Sequence, residues 1–348
     1  MTRTTAFTLI VTLASTVAAP TITSGATYWV AKTGSDSNSC SSAQSQSTPR
    51  LTINGGLKCL AGGDTLYILP GTYNERIESR AGTPSVPSGT SWTNMTTISA
   101  APGSELKVIL RPDSADHVVY LLGTHRYINF NGLVLDGSTT SYTGTKGEEC
   151  SPGYNCGTIG GSPQFIKWSN SEIKNSHDSG VLGYNDSIFT NMNIHHNGST
   201  DFDHGLYITG VGNLIQNSQV HHNSGWGVHV YNNPGGRTNN NTVRGNVIYS
   251  NGQSKKRGVG IILSSGFNNQ AYNNILYDNL SGGIQIDWGD NAKAYNNTIY
   301  NNPAGCIGIG GGSSNAIVKN NLCSDSGGIT DAGTGTIQSN NLTTKPIK

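Results

Sequence analysis

The sequence predicts an all-β solenoid, a right-handed parallel β-helix, and three observations point to it. First, the segments HGLYI, WGVHV, VGIIL, GGIQI and GCIGI align with a small residue in register at Gly205, Gly227, Gly260, Gly283 and Cys306, at steps of 22, 33, 23 and 23 residues. Second, each small residue is followed by an apolar, variable, apolar triplet: Leu206 and Ile208, Val228 and Val230, Ile261 and Leu263, Ile284 and Ile286, Ile307 and Ile309. Such alternation is that of a short strand with its apolar side inward. Third, a second ladder runs through IHHN, VHHN, IYSN, LYDN and IYNN, with Asn197, Asn223, Asn251, Asn279 and Asn302 each three residues after an apolar rung. Two strands and their Asn-bearing turns then make one coil, and almost no helical periodicity competes. The 33-residue step holds an inserted loop.

Composition sets the outer limits. A chain of 348 residues with 46 glycines and 12% charged residues is a turn-rich β-protein able to bury one long core. A net charge of +1 without a basic patch gives no sign of a nucleic-acid partner. Residues 1–19, with Arg3, an apolar run through Val17 and small residues at Ala18 and Ala19, read as a secretory signal peptide too short to span a membrane. A second cleavage point follows Ala26. The expected product is an extracellular monomer in which residues 20–348 form a single β-helix domain.

Six cysteines fit disulfides in such a protein. Proximity suggests Cys40 with Cys59, Cys150 with Cys156, and Cys306 with Cys323, out of fifteen possible pairings. Zinc is disfavoured because no pair has the short Cys-x-x-Cys spacing. Sequons at Asn94, Asn185, Asn197, Asn240, Asn279, Asn296 and Asn341 permit N-glycosylation, although several are also turn rungs.

In chain order, the opening YWVAKTGSDSNSC and the later GGDTLYILPGTYNER, both within Tyr28 to Arg76, are β-runs flanking a segment, Leu51 to Leu60, suited to a short helix. A helix there would cover the open end of the solenoid, whose edges otherwise invite pairing with other chains. This opening, together with INFNGLVLDG at Ile128 to Gly137 and the ladder to about residue 322, resembles the secreted β-helix proteins of the pectate-lyase-like superfamily. The resemblance implies a β-helix with an N-terminal cap and, as an activity, polysaccharide lyase chemistry. Residues 138–163 break the repeat with Gly, Ser, Thr, Pro, Glu148 and Glu149, which suits a disulfide-pinned surface loop walling a groove. Asn-bearing rungs between Asn315 and Leu342 extend the solenoid nearly to the end.

The chemistry is sought on the outer face of the triplet strands. The middle column reads Tyr207, His229, Ile262, Gln285, Gly308, and the next Thr209, Tyr231, Ser264, Asp287, Gly310. Beside them stand Asp203, His204, Trp226 and the run Lys255, Lys256, Arg257. A uronate polysaccharide would use such a set. The C5 proton beside a carboxylate is only weakly acidic until Arg, Lys or a metal neutralises that charge. A His, Lys or Tyr then removes the proton, and a Tyr or His protonates the leaving oxygen. The candidate catalytic residues are His204, Tyr207, His229 and Arg257. The candidate substrate-binding residues are Trp226, Tyr231, Lys256, Gln285, Asp287 and Trp288. Asp287 and Asp290 could hold sugar hydroxyls or Ca2+, the one cofactor considered. His195, His221, Tyr249, Tyr277 and Tyr300 form a separate column that reads as a stacking ladder.

The most favoured function is a secreted polysaccharide lyase with an acidic, uronate-containing polymer as partner. A uronate C5-epimerase, a glycoside hydrolase using two separated carboxylates, and a non-catalytic sugar-binding protein remain open, since fold alone does not choose among them.

Overall fold

The short triplets become strands because an isolated three-residue strand is stable only when flanked on both edges, and the coil repeat supplies both neighbours. The computed structural model describes residues 25–79, 85–113, 116–140, 157–231, 238–324 and 327–344. Three parallel sheets run its length. Among the described residues one has twelve strands, from Thr27–Val30 to Ile337–Ser339; one has eleven, from Gly71–Tyr73 to Leu342–Thr344; and one has ten, from Ile77–Glu78 to Ile329–Asp331. A coil therefore has three strands, not the two read from the sequence. The missing one belongs to the twelve-strand sheet, whose inward residue passes from Trp168 and Phe189 through Ile215 and Val243 to Ala271 and Ala294. A column that shrinks to alanine leaves no apolar rung to read.

The triplets pair in the expected register, Leu206 with Val228, Val228 with Ile261, Ile261 with Ile284 and Ile284 with Ile307. Leu206, Ile208, Val228, Val230, Ile261, Leu263, Ile284 and Ile286 are all buried in one core. The repeat resumes earlier than the sequence suggested after its break, because Gly157–Gly161 is already a strand of the ten-strand sheet.

Turns decide the cross-section. Before each rung of the Asn ladder read from the sequence stands a residue in the left-handed region: His196, His222, Ser250, Asp278 and Asn301, with φ of 52 to 54°. That conformation bends the chain sharply and turns the next side chain inward. Asn, Asp and His tolerate it better than most residues. The buried amides then satisfy one another from coil to coil: the Nδ2 of Asn197, Asn223, Asn251 and Asn279 each donates to the Oδ1 of the following rung at 2.9 to 3.0 Å. Two further ladders do the same at the other turns, through Asn213, Asn241 and Asn269 and through Asn246, Asn274, Asn297, Asn321 and Asn341. The sequons at Asn197 and Asn279 are thus committed to the interior, whereas Asn240 and Asn296 are exposed.

At the N-terminal end a short helix, Ile53–Leu57, is capped by the Thr52 side chain and buries Ile53 and Leu57. It lies close on the first strands: a Cβ on Gly56 would sit 2.6 Å from Val30 Cγ2. The disulfides Cys40–Cys59 and Cys306–Cys323 form as paired by proximity. The Cys150–Cys156 pair, the signal-peptide segment and most of the 138–163 loop lie outside the described residues. No described helix is long and apolar enough to cross a membrane.

Candidate active site

Two turns depart from the repeat at the same corner of alternate coils, with one regular coil between them. Asn223 leads directly into Gly227, but from Asn197 to Gly205 and from Asn251 to Gly260 the chain makes longer excursions. The first carries Asp201, Phe202, Asp203 and His204, and the second Lys255, Lys256 and Arg257. Asp203 shapes its turn by accepting from the backbone N–H groups of Ser199 and Thr200 at 3.0 and 2.6 Å.

His204 is buried beneath the strand edge. Its backbone N–H donates to Ser179 Oγ at 2.9 Å, and its Nδ1 accepts from the Trp226 backbone N–H at 3.2 Å. An amide N–H can only donate, so the neutral ring carries its proton on Nε2. Gly225 permits this approach, since a Cβ there would lie 2.7 Å from His204 Nδ1. Burial, and then the Arg257 charge, push the imidazole pKa down to about 3. The ring stacks on Trp226 at 4.7 Å and meets His229 edge-on at 4.8 Å.

His229 stands at the middle of its triplet strand, paired with Tyr207 across the ladder. It points away from the core as expected, yet it is only 7% exposed. The cover is aromatic: Tyr207 and Tyr231 lie parallel to its ring at 4.8 and 5.2 Å, and Trp226 meets it edge-on at 4.3 Å. Burial, then His204 and Arg257, hold its pKa well below the ordinary value, so the ring is neutral. Its Nδ1 is buried and makes no hydrogen bond. Burial, and secondarily Tyr231, push the Tyr207 phenol up to about 12.

Arg257 reaches back over the neighbouring excursion. Its Nε pairs with Asp201 Oδ2 at 3.1 Å, and its guanidinium lies 4.2 Å from the Phe202 ring centre and 5.4 Å from that of Trp226. These groups line a pocket of about 450 Å³ together with Ile262, Ser264, Asp287 and Trp288. Trp288 is 66% exposed, and its indole lies against Gly312, where a Cβ would be 2.0 Å from Cδ1.

The right handed beta helix region family model matches residues 179–343. No curated protein matches the sequence. Solved structures of the same architecture include an alginate lyase from Paenibacillus sp. str. FPU-7, 18% identical with a TM-score of 0.63 over 81% of this chain and 95% of that one. Pectate lyase Pel9A is 15% identical with a TM-score of 0.62 over 92% of this chain and 80% of that one. A GH136 lacto-N-biosidase from Eubacterium ramulus is 12% identical with a TM-score of 0.60 over 92% of this chain and 68% of that one. The fold is a right-handed parallel β-helix. At these identities the likeness is one of fold.

On this β-helix, eight of the ten residues singled out from the sequence line one pocket: His204, Tyr207, Trp226, His229, Tyr231, Arg257, Asp287 and Trp288. Two do not. Lys256 is exposed away from the pocket wall, because the excursion turns only Arg257 inward. Gln285 donates through Nε2 to Asp287 Oδ1 at 3.1 Å and so serves that carboxylate. The sequence reading missed Phe202 and the anchoring role of Asp201, whose signal was the lengthened Asn197 to Gly205 turn. Asp287 and Asp290 do not make a calcium cradle. Asp287 is held by Gln285, Asp290 accepts from Ser314 Oγ at 2.5 Å, and no group of three or more ligand-type side chains gathers among the described residues. The column His195, His221, Tyr249, Tyr277, Tyr300 is a continuous parallel stack at 4.6 to 4.9 Å.

Proposed function

We propose that the chain is a secreted polysaccharide lyase that cleaves a uronate-containing polymer by β-elimination. The observation that carries this reading is the neutral His229, flanked by Tyr207 and lining a pocket that also holds the Arg257 guanidinium. In the proposed step Arg257 pairs with the uronate carboxylate, and His229 takes the C5 proton. The electron pair forms the C4–C5 double bond, the C4–O bond breaks, and Tyr207 protonates the leaving oxygen.

The directions of the shifts favour this division of labour. A phenol held up at about 12 is protonated and suited to donate. An imidazole held neutral has its lone pair free, but its depressed pKa makes it a weak base. A bound carboxylate changes that, because it offsets the Arg257 charge and itself favours the imidazolium. The base therefore strengthens only when an acidic sugar is present. His204 acts as a positioning residue, tying Trp226 to the ring of His229.

A hydrolase reading is less favoured because Asp287 is the one carboxylate lining the pocket among the described residues, and hydrolysis by the common route needs two. An epimerase would use the same base and return a proton on the opposite face. Two of the solved β-helices of this architecture are named as lyases, of pectate and of alginate, which agrees with the reading. The test is a panel of uronate polymers followed by the ultraviolet absorbance of the unsaturated product. One polymer should give rising absorbance, and His229→Ala and Tyr207→Phe should each slow it by ~10²-fold or more with the circular dichroism unchanged. No absorbance from any polymer would reject the lyase, and near-full turnover in both variants would reject these residues as its acid and base.

A further inference from the structure

The outer face of the twelve-strand sheet, away from the pocket on the ten-strand sheet, carries charge of one sign only. In each strand the residues flanking the central, inward one point outward, and register stacks them into two columns along the solenoid. The whole chain has 21 basic and 20 acidic residues. Yet neither column contains an Asp or a Glu, and together they carry Lys167, Arg244, Lys293 and Lys319. None of these four forms an ion pair among the described residues. They lie far apart in the chain, so no basic run announces them.

Arg244 is fixed in position without being neutralised. Its Nε and Nη2 donate to Gln216 Oε1 at 3.0 and 2.7 Å, and its Nη1 donates to Tyr272 Oη at 3.0 Å. These partners belong to the coils before and after it. An amide and a phenol are uncharged, so the guanidinium keeps its full charge, unlike Arg257, which is paired with Asp201. Three of its five N–H groups are used, and two have no partner among the described residues. The Tyr272 hydroxyl accepts from Arg244 and keeps its own proton to donate. Tyr272 stacks on Tyr295 at 4.7 Å, and Lys319 follows Tyr295 in the same column.

We infer that this face is a second, non-catalytic binding site for an acidic polysaccharide, centred on Arg244, whose two remaining N–H groups and the Tyr272 hydroxyl take one carboxylate of the glycan. A guanidinium held by neutral partners is set up for bidentate pairing with a carboxylate. The column extends that point into a track. Lys293 lies two coils from Arg244 and Lys319 three, ~10 and ~14 Å along the axis. A pyranose ring is about as long as one coil step, so a chain laid along the column would bring further carboxylates over these lysines. Four cations spread over twelve strands are too sparse for a nucleic acid, whose affinity comes from many phosphate contacts at once. Only the choice of a uronate polymer rests on the lyase reading. Such a site would keep the molecule on a long polymer while the pocket works elsewhere on it, as linked binding sites do.

The test is affinity electrophoresis of the full chain in native gels cast with sodium alginate or polygalacturonate, with dextran as the neutral control, at low salt. Because it reads binding and not turnover, its failure is distinguishable from that of the lyase reading. Wild type should be retarded by one of the acidic polymers and not by dextran. Arg257→Gln, which removes the cation of the pocket, should still be retarded. Arg244→Gln should lose affinity for the same polymer ~10-fold or more with its circular dichroism unchanged. A Lys293→Gln, Lys319→Gln double variant removes amines that make no hydrogen bond among the described residues, and it should weaken retardation several-fold without disturbing the fold. Retardation by neither acidic polymer, or equal retardation of Arg244→Gln and wild type, would overturn the inference. So would stronger retention by single-stranded DNA than by either polymer, which would mark the face as a phosphate-binding one.

Discussion

At the scale of single residues, the site depends on two histidines kept neutral where histidine would ordinarily titrate. His204 has a folded pKa of about 3, and His229 lies well below its ordinary value, against ~6.5 for an unfolded histidine. Because the folded values are depressed, their contribution to stability is complete above about pH 6.5 and is lost as the pH falls through the window towards 3. For His204 the loss has an upper bound on the order of 5 kcal/mol. Thermal melts from pH 7.5 to 4 should show His204→Asn, whose amide oxygen can replace Nδ1 as acceptor, losing less stability on acidification than wild type does. Equal acid sensitivity in the two proteins would mean that His204 is not buried as a neutral ring. The residue grid was legible because outward positions on adjacent coils are fixed by register alone. What register does not tell is whether an outward side chain meets water. His229 does not, because Tyr207, Tyr231 and Trp226 close over it, and Lys256 does, because one residue decides which side of a loop faces the pocket.

At the scale of elements, the Asn ladders hold the turns. Asn251 accepts from both the Nδ2 and the backbone N–H of Asn223 and donates to Asn279 Oδ1 and to the carbonyls of Val220 and Tyr249. Asn251→Ala strands these buried partners and should cost about 2–5 kcal/mol in urea unfolding. Asn341→Ala, at the partly buried end of another ladder, should cost less than ~1.5 kcal/mol. Similar costs at the two positions would contradict a cooperative interior ladder. One ladder was visible in the sequence because its apolar rung and its Asn keep a fixed spacing. The other two were hidden by substitution, as where Ser187 and Ser218 occupy ladder positions, and the third strand was hidden with them.

At the scale of the whole molecule, a solenoid is weakest at its ends, and the two described disulfides sit there. Cys306–Cys323 ties a ten-strand-sheet strand to an eleven-strand-sheet strand inside the last coils and is fully buried, while Cys40–Cys59 is partly accessible beside the N-terminal helix. Mild reduction followed by alkylation and peptide mapping should label Cys40 and Cys59 first. Labelling of Cys306 before them would mean that the C-terminal coils open more readily than the N-terminal end. The overall architecture was the most legible level, since one alternation repeated at coil length admits few folds. The proposed reaction was the least, since Arg257, Phe202 and His204, which complete the pocket around the strand residues Tyr207 and His229, come from two lengthened turns. The most direct test of the proposed elimination is product analysis by NMR in D2O on the polymer that responds. Wild type should give an unsaturated C4–C5 end group that His229→Ala does not produce. Cleavage to saturated ends, or deuterium entering C5 of an uncut chain, would contradict β-elimination at this site.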